Sequence, residues 1–121
     1  MTFWLWCAVA VVGGGGAIAR FLLDATISRR FGRLFPLGTL VVNLTGAFVL
    51  GLLSGAGLAP DALLVAGTAT IGSYTTFSTW MLESQRLAED GDARGAAVNL
   101  LASIAVGVAA AALGRTIGVH L

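Results

Sequence analysis

The chain has 121 residues, of which 57% are hydrophobic and 11% charged, and its formal net charge is +1. A soluble domain carries roughly 25% charged residues, so too little polar surface is available here to cover an apolar core in water, and there is no concentrated basic face for nucleic acid. A single cysteine, Cys7, and a single histidine, His120 near the end of the chain, exclude an internal disulfide, a His/Cys metal site and a Ser/His/Asp set. With no acid/base residues deep in the apolar segments, the composition argues against an enzyme.

About 20 apolar residues cross a bilayer as a helix, and four runs of that kind follow one another. The first, residues 3–23, contains only one charge, Arg20. Only Met1 and Thr2 precede it, without the basic stretch of a secretory signal, so the run is read as a retained helix. Its four consecutive glycines, Gly13 to Gly16, weaken a helix and offer a surface for close contact. The connector 24–36 carries Arg29, Arg30 and Arg33.

The second run, 37–58, is uncharged but contains Asn43. An uncompensated amide in hydrocarbon is costly, so Asn43 faces either a partner helix or a watery path, and its N–H groups can donate to an anion. Thr39 lies one turn earlier on the same face. Gly51 and Gly55 form a G-x-x-x-G spacing, as do Gly114 and Gly118. That spacing lets helix backbones approach closely in lipid. Residues 57–61, with Pro60, read as a turn.

The third run, 62–82, is also uncharged and is the most informative. Eight of the twelve residues 68–79 carry a hydroxyl: Thr68, Thr70, Ser73, Tyr74, Thr75, Thr76, Ser78 and Thr79. Gly72 in this stretch suggests a break in the helix, which membrane depth tolerates only where protein or water surrounds it. The freed carbonyls could ligate a hard cation such as Na⁺. The same run reads equally well as a packing seam whose hydroxyls bond back to their own helix. Phe77 and Trp80, at i and i+3, share a face. They are either core or lipid contacts, or rings whose positive edges hold an anion.

The fourth run, 95–113, holds Asn99 and Ser103 at i, i+4 spacing, placed either at headgroup level and in packing or on a path. Arg20 and Glu83 are the charges nearest the membrane, and each either snorkels to the headgroups or flanks a pore mouth. Four spans put both termini on one side. Arg29, Arg30, Arg33, Arg86 and Arg94 lie in or beside loops one and three, against Arg115 on the terminal side. The positive-inside rule therefore places those loops in the cytoplasm and both termini outside.

The strings Gly-Ala-Ile-Ala-Arg at 16–20, Pro-Leu-Gly-Thr-Leu-Val-Val-Asn at 36–43, and Gly-Ser-Tyr-Thr-Thr-Phe-Ser-Thr at 72–79 followed by Glu83 resemble the CrcB/Fluc fluoride channels. The likeness extends over all four runs in order. It implies an all-α integral membrane protein, a single four-helix domain spanning 1–121 whose third helix is broken near its middle, paired as an antiparallel dimer in the cell membrane. It implies passive export of fluoride through narrow pores. Protonated fluoride enters a cell as a neutral acid and dissociates there, and the inside-negative potential drives the anion out with roughly 2.3 kcal/mol per 100 mV.

By motif position the resemblance assigns the fluoride path to Asn43, Phe77, Ser78, Thr79 and Ser103, with Thr39 and Trp80 beside them. Arg20 and Glu83 fall at a vestibule, and backbone carbonyls of Gly72 and Thr75 at a structural, non-transported Na⁺ on the dimer axis. The sequence departs from the family pattern at Trp80, where a second phenylalanine is usual, and at Asn99, where a tyrosine is common. The partner is expected to be either a second copy in dual topology or an oppositely oriented paralogue. A small proton-coupled exporter of the antiparallel four-helix type would need a titratable acid deep in a span, which these runs lack. A non-conducting subunit of a heteromeric channel is the other alternative.

Overall fold

A computed structural model of the chain describes residues 2–121, and all regular elements among the described residues are helices. Helix α1 spans Phe3–Phe31. Thr2 starts it by accepting from the backbone N–H of Leu5 at 3.2 Å. It therefore runs beyond residue 23, through most of the expected connector. The reason is local: between residue 23 and Gly32 the chain has no glycine or proline, and the φ of +80° at Gly32 then ends the helix in the left-handed region that glycine enters freely. Arg29 and Arg30 occupy the last turn, where positive charge offsets the helix dipole.

Helix α2, Leu37–Gly55, begins after the buried Pro36 and stops short of residue 58, because Gly57 turns the chain at φ +71°. Helix α5, Ala93–Gly118, is capped by Asp92, whose carboxylate accepts from Gly95 N at 2.8 Å. Helices α1, α2 and α5 are each long and apolar enough to cross a membrane.

The third run is not one helix. Its first half, α3 (60–74), opens with an α-helical turn at Pro60–Leu63, passes through eight residues of π-helix at Leu64–Ile71 and closes with an α-helical turn at Gly72–Tyr74. Thr75 is then extended, at φ −80° and ψ 161°. The second half, α4, resumes at Ser78 and continues to Glu89. Gly72 is itself helical, at φ −61° and ψ −35°, so the interruption lies three residues beyond the glycine that suggested it, at the adjacent β-branched pair Thr75 and Thr76.

Small residues hold the bundle together. The two G-x-x-x-G pairs meet each other. A Cβ on Gly51 would collide with the carbonyl oxygen of Ala111, on Gly55 with that of Arg115, on Gly114 with that of Phe48, and on Gly118 with that of Leu52. These pairings ascend together along the chain, so α2 and α5 run parallel. In the glycine string of α1, Gly16 sits against the Thr70 carbonyl and Gly13 near Ser73 Oγ of α3, whereas Gly14 and Gly15 face open space. Large apolar side chains such as Trp4, Val11, Phe21 and Val108 point outward. Inside, backbone packs on backbone, which suits a lipid environment that offers no hydrophobic gain for burying large side chains.

Candidate functional site

The face of α2 that carries Thr39 and Asn43 organises the interruption. Asn43 accepts from Thr76 N at 2.8 Å through its Oδ1 and donates its Nδ2 to Thr76 O at 2.9 Å. One side-chain amide thus replaces both helical bonds that Thr76 has lost. The Thr76 hydroxyl in turn accepts from Thr79 N at 3.3 Å and donates to Thr79 Oγ1 at 3.1 Å, capping the start of α4. One helical turn away, Thr39, only 2% exposed, donates its hydroxyl to the Glu83 carboxylate. Thr76, Thr79 and Glu83 therefore form one polar stripe, set against Thr39 and Asn43. Glu83 lies beyond the apolar run 62–82, and burial pushes its carboxyl above the ordinary range, against the opposing effect of the Thr39 hydrogen bond.

A second stripe of α4 faces α5. Trp80 donates its indole N–H to the backbone carbonyl of Asn99 at 3.0 Å. Asn99, 1% exposed, donates its amide to Ser84 Oγ at 2.8 Å. Ser84 donates to the Trp80 carbonyl at 2.8 Å. The Trp80 ring meets Phe77 edge to face, with centroids 5.6 Å apart and planes at 81°.

Three hollows adjoin these groups. An open one of about 490 Å³ is bordered by Asn43, Gly72, Thr75, Phe77 and Trp80. A small one of about 40 Å³ lies among Arg20, Asp24, Thr39, Thr76 and Thr79. A third, about 190 Å³, brings Arg33 of the first connector beside Glu83 and Arg86 of α4. Thr39 and Glu83, joined by their hydrogen bond, connect the second hollow to the third.

Residues 7–115 match the family described as CrcB-like protein, Camphor Resistance (CrcB). The chain belongs to the CrcB family. Among its relatives, the protein named fluoride-specific ion channel FluC 2 in Mycobacterium tuberculosis is 51% identical over 117 residues, which cover 97% of this chain and 93% of the relative. The protein of the same name in Mycolicibacterium paratuberculosis is 53% identical over 111 residues, covering 92% and 91%. Fluoride-specific ion channel FluC 1 of Symbiobacterium thermophilum is 43% identical over 119 residues, covering 93% and 96%. With its long apolar helices, this CrcB chain is a multi-pass membrane protein.

Within this CrcB chain, Thr39, Asn43, Thr79 and Glu83 share the α2–α4 contact, while Phe77 and Trp80 border the open hollow. Ser78 is exposed at the start of α4. Ser103 stands apart from these hollows, one turn beyond Asn99. Among the described residues, its Oγ and the Nε of Arg20 are the buried side-chain atoms without a hydrogen-bond partner. Sequence reasoning missed Thr76 as the hinge that Asn43 holds, and Ser84 as the link between Trp80 and Asn99. Ser84 stands at i+4 from Trp80, and that spacing was the available signal. At the break, no backbone N–H among the described residues is directed at the carbonyls of Gly72 or Thr75. Oxygen atoms of this kind, neutral and unpaired, fit a hard monovalent cation.

Proposed function

We propose that this chain is a subunit of a passive, fluoride-selective channel that exports F⁻ across the cell membrane and lowers fluoride in the cytoplasm. The observation that carries the reading is the interrupted third run, stitched by Asn43 and bordered by the Phe77–Trp80 ring pair on an open hollow. Its support from relatives is their printed name, fluoride-specific ion channel, on proteins that match almost end to end.

In this reading the third run crosses as well, in two pieces, making four spans. The hollow holding Arg33 beside Arg86 puts the end of α4 at the same end of the bundle as the α1–α2 connector, and the parallel pairing of α2 with α5 requires such a crossing between them. Phe77, 70% exposed on a single chain, and the open hollow beside it face a second, antiparallel subunit. A Na⁺ on the dimer axis would be held by the carbonyls of Gly72 and Thr75, where it supplies a fixed positive charge. Fluoride enters at the vestibule formed by Arg20 and Glu83. It then passes Thr39, Asn43, Ser78 and Thr79 beside the Phe77 and Trp80 rings, and Ser103, which borders none of the hollows of the single chain, joins the path only where the second subunit closes it. Fluoride is small and strongly hydrated, so selectivity rests on a tight path whose amide, hydroxyl and ring-edge donors replace part of its water.

Fluoride efflux from liposomes containing the purified protein tests this reading. Efflux should follow the electrical potential, exclude chloride and proceed equally with and without a proton gradient. Efflux only with a proton gradient would instead identify a coupled exporter, and no efflux a non-conducting subunit.

A further inference from the structure

Trp80, Ser84 and Asn99 form a closed hydrogen-bond circuit in which each residue donates once and accepts once. The circuit joins α4 to α5 through buried and half-buried atoms. We propose that this circuit is a positioning unit: it fixes the Trp80 ring, and through it the Phe77 ring, at the angle that an anion in the open hollow meets. The proposal rests on the fluoride-channel reading and assigns specificity to residues that do not themselves contact the ion.

Geometry carries the argument. A tryptophan on α4 alone could rotate about its two side-chain torsions. Here its indole N–H is committed to the Asn99 carbonyl, which ties the ring plane to α5. The bonds from Asn99 to Ser84, and from Ser84 to the Trp80 carbonyl, hold α4 and α5 in the register that brings the Asn99 carbonyl to the indole, so the ring cannot turn without breaking its own bond and the helices cannot shift without loosening it.

Phe77 is mostly exposed, and Trp80 is its one aromatic partner among the described residues. Within the subunit, the perpendicular contact therefore sets the orientation of Phe77. Orientation decides the sign of the interaction, because a ring offers positive charge at its edge and negative charge at its face. A rotation of Phe77 through a right angle would exchange edge and face toward an anion in the hollow, and so reverse the interaction. Selectivity for fluoride then depends on Ser84 and Asn99, although neither borders the hollow.

The test is the fluoride-to-chloride permeability ratio of the reconstituted full-length protein, read together with its thermal melting. Ser84→Ala, which removes two of the three bonds, and Asn99→Ala, which removes the Asn99–Ser84 bond, should each lower the ratio about tenfold, since each releases the link that holds the Asn99 carbonyl against the indole N–H. The double variant should be no worse than either single one, because one broken link opens the whole circuit. Ser84→Thr, which keeps the hydroxyl donor, should recover the ratio lost in Ser84→Ala. Trp80→Phe removes the bond to the Asn99 carbonyl together with one ring of the indole, and supplies the same reading if Asn99→Ala does not assemble. A lowered melting temperature with an unchanged ratio would mean that the circuit only stabilises the fold, and would overturn the proposal. Phe77→Ile separates the two levels. If it abolishes selective flux while the circuit variants do not, positioning alone is wrong. If it changes nothing, the ring path itself is wrong and the proposal falls with it.

Discussion

At the break, Thr76 has neither of its helical partners, and the Asn43 amide stands in for both. Removing that side chain leaves a backbone N–H and a backbone carbonyl unpaired within the bundle, at a cost of about 1–3 kcal/mol each. The remaining Nδ2 hydrogen of Asn43 is the donor available to an anion. Asn43→Ala removes the bracket and that donor together. Asn43→Asp keeps an acceptor for Thr76 N but sets a carboxylate against the Thr76 carbonyl and in the anion's way. Both should lower fluoride flux at least about tenfold, equivalent to 1.4 kcal/mol of lost stabilisation. Flux per folded protein in liposomes measures this, and parental flux in both variants would remove Asn43 from the path. The residue types were legible beforehand: an amide in an uncharged run must have a partner or a watery path. That the partner is the Thr76 backbone was not, because side-chain spacing carries no information about which backbone groups a distant break leaves unsatisfied.

Helix elements divide the glycines into two kinds. Gly114 abuts the Phe48 carbonyl of α2, whereas a Cβ on Gly72 would meet nothing within 4 Å. Gly114→Leu should therefore force α2 and α5 apart and cost about 1–3 kcal/mol or more, seen as loss of folded protein in detergent. Gly72→Leu should leave the single chain folded and act only on what a partner brings to that surface. Its expected effect is loss of the dimer in cross-linking or light scattering, with little change in helix content by circular dichroism. A Gly72→Leu protein that still dimerises and conducts would place the dimer axis elsewhere, while Thr75→Val, which leaves the carbonyl in place, should be milder than Gly72→Leu. The G-x-x-x-G spacings made the α2–α5 contact legible because close approach in lipid needs small residues at that interval. The π-helix at Leu64–Ile71 was not legible. Its sequence is an ordinary apolar run, and the wider turn is marked only by a contact such as Thr70 Oγ1 reaching Val65 O, five residues back.

For the whole molecule, the charge asymmetry read from the sequence is also an asymmetry in space. Arg33 and Arg86 share a hollow at one end of the bundle, Arg29 and Arg30 close α1 at that end and Arg94 opens α5 there. Arg115 lies at the other end, beside Gly55. Five arginines against one favour a single orientation, with both termini outside the cytoplasm. Asp24, Glu83 and Glu89 do little to balance this, since acidic residues contribute weakly to the rule. In the cell a chain held in one orientation cannot supply both halves of an antiparallel dimer, so its partner there would be an oppositely biased paralogue, whereas chains purified in detergent lose that orientation and can pair with themselves for the liposome assay. A reporter fused to the C-terminus, with the chain expressed alone in a fluoride-sensitive cell, decides between the arrangements. The expected result is a reporter confined to the outer face and no fluoride resistance until the paralogue is supplied. A reporter found on both faces, together with restored resistance, would establish a dual-topology homodimer, and the loop arginines would then have been outweighed.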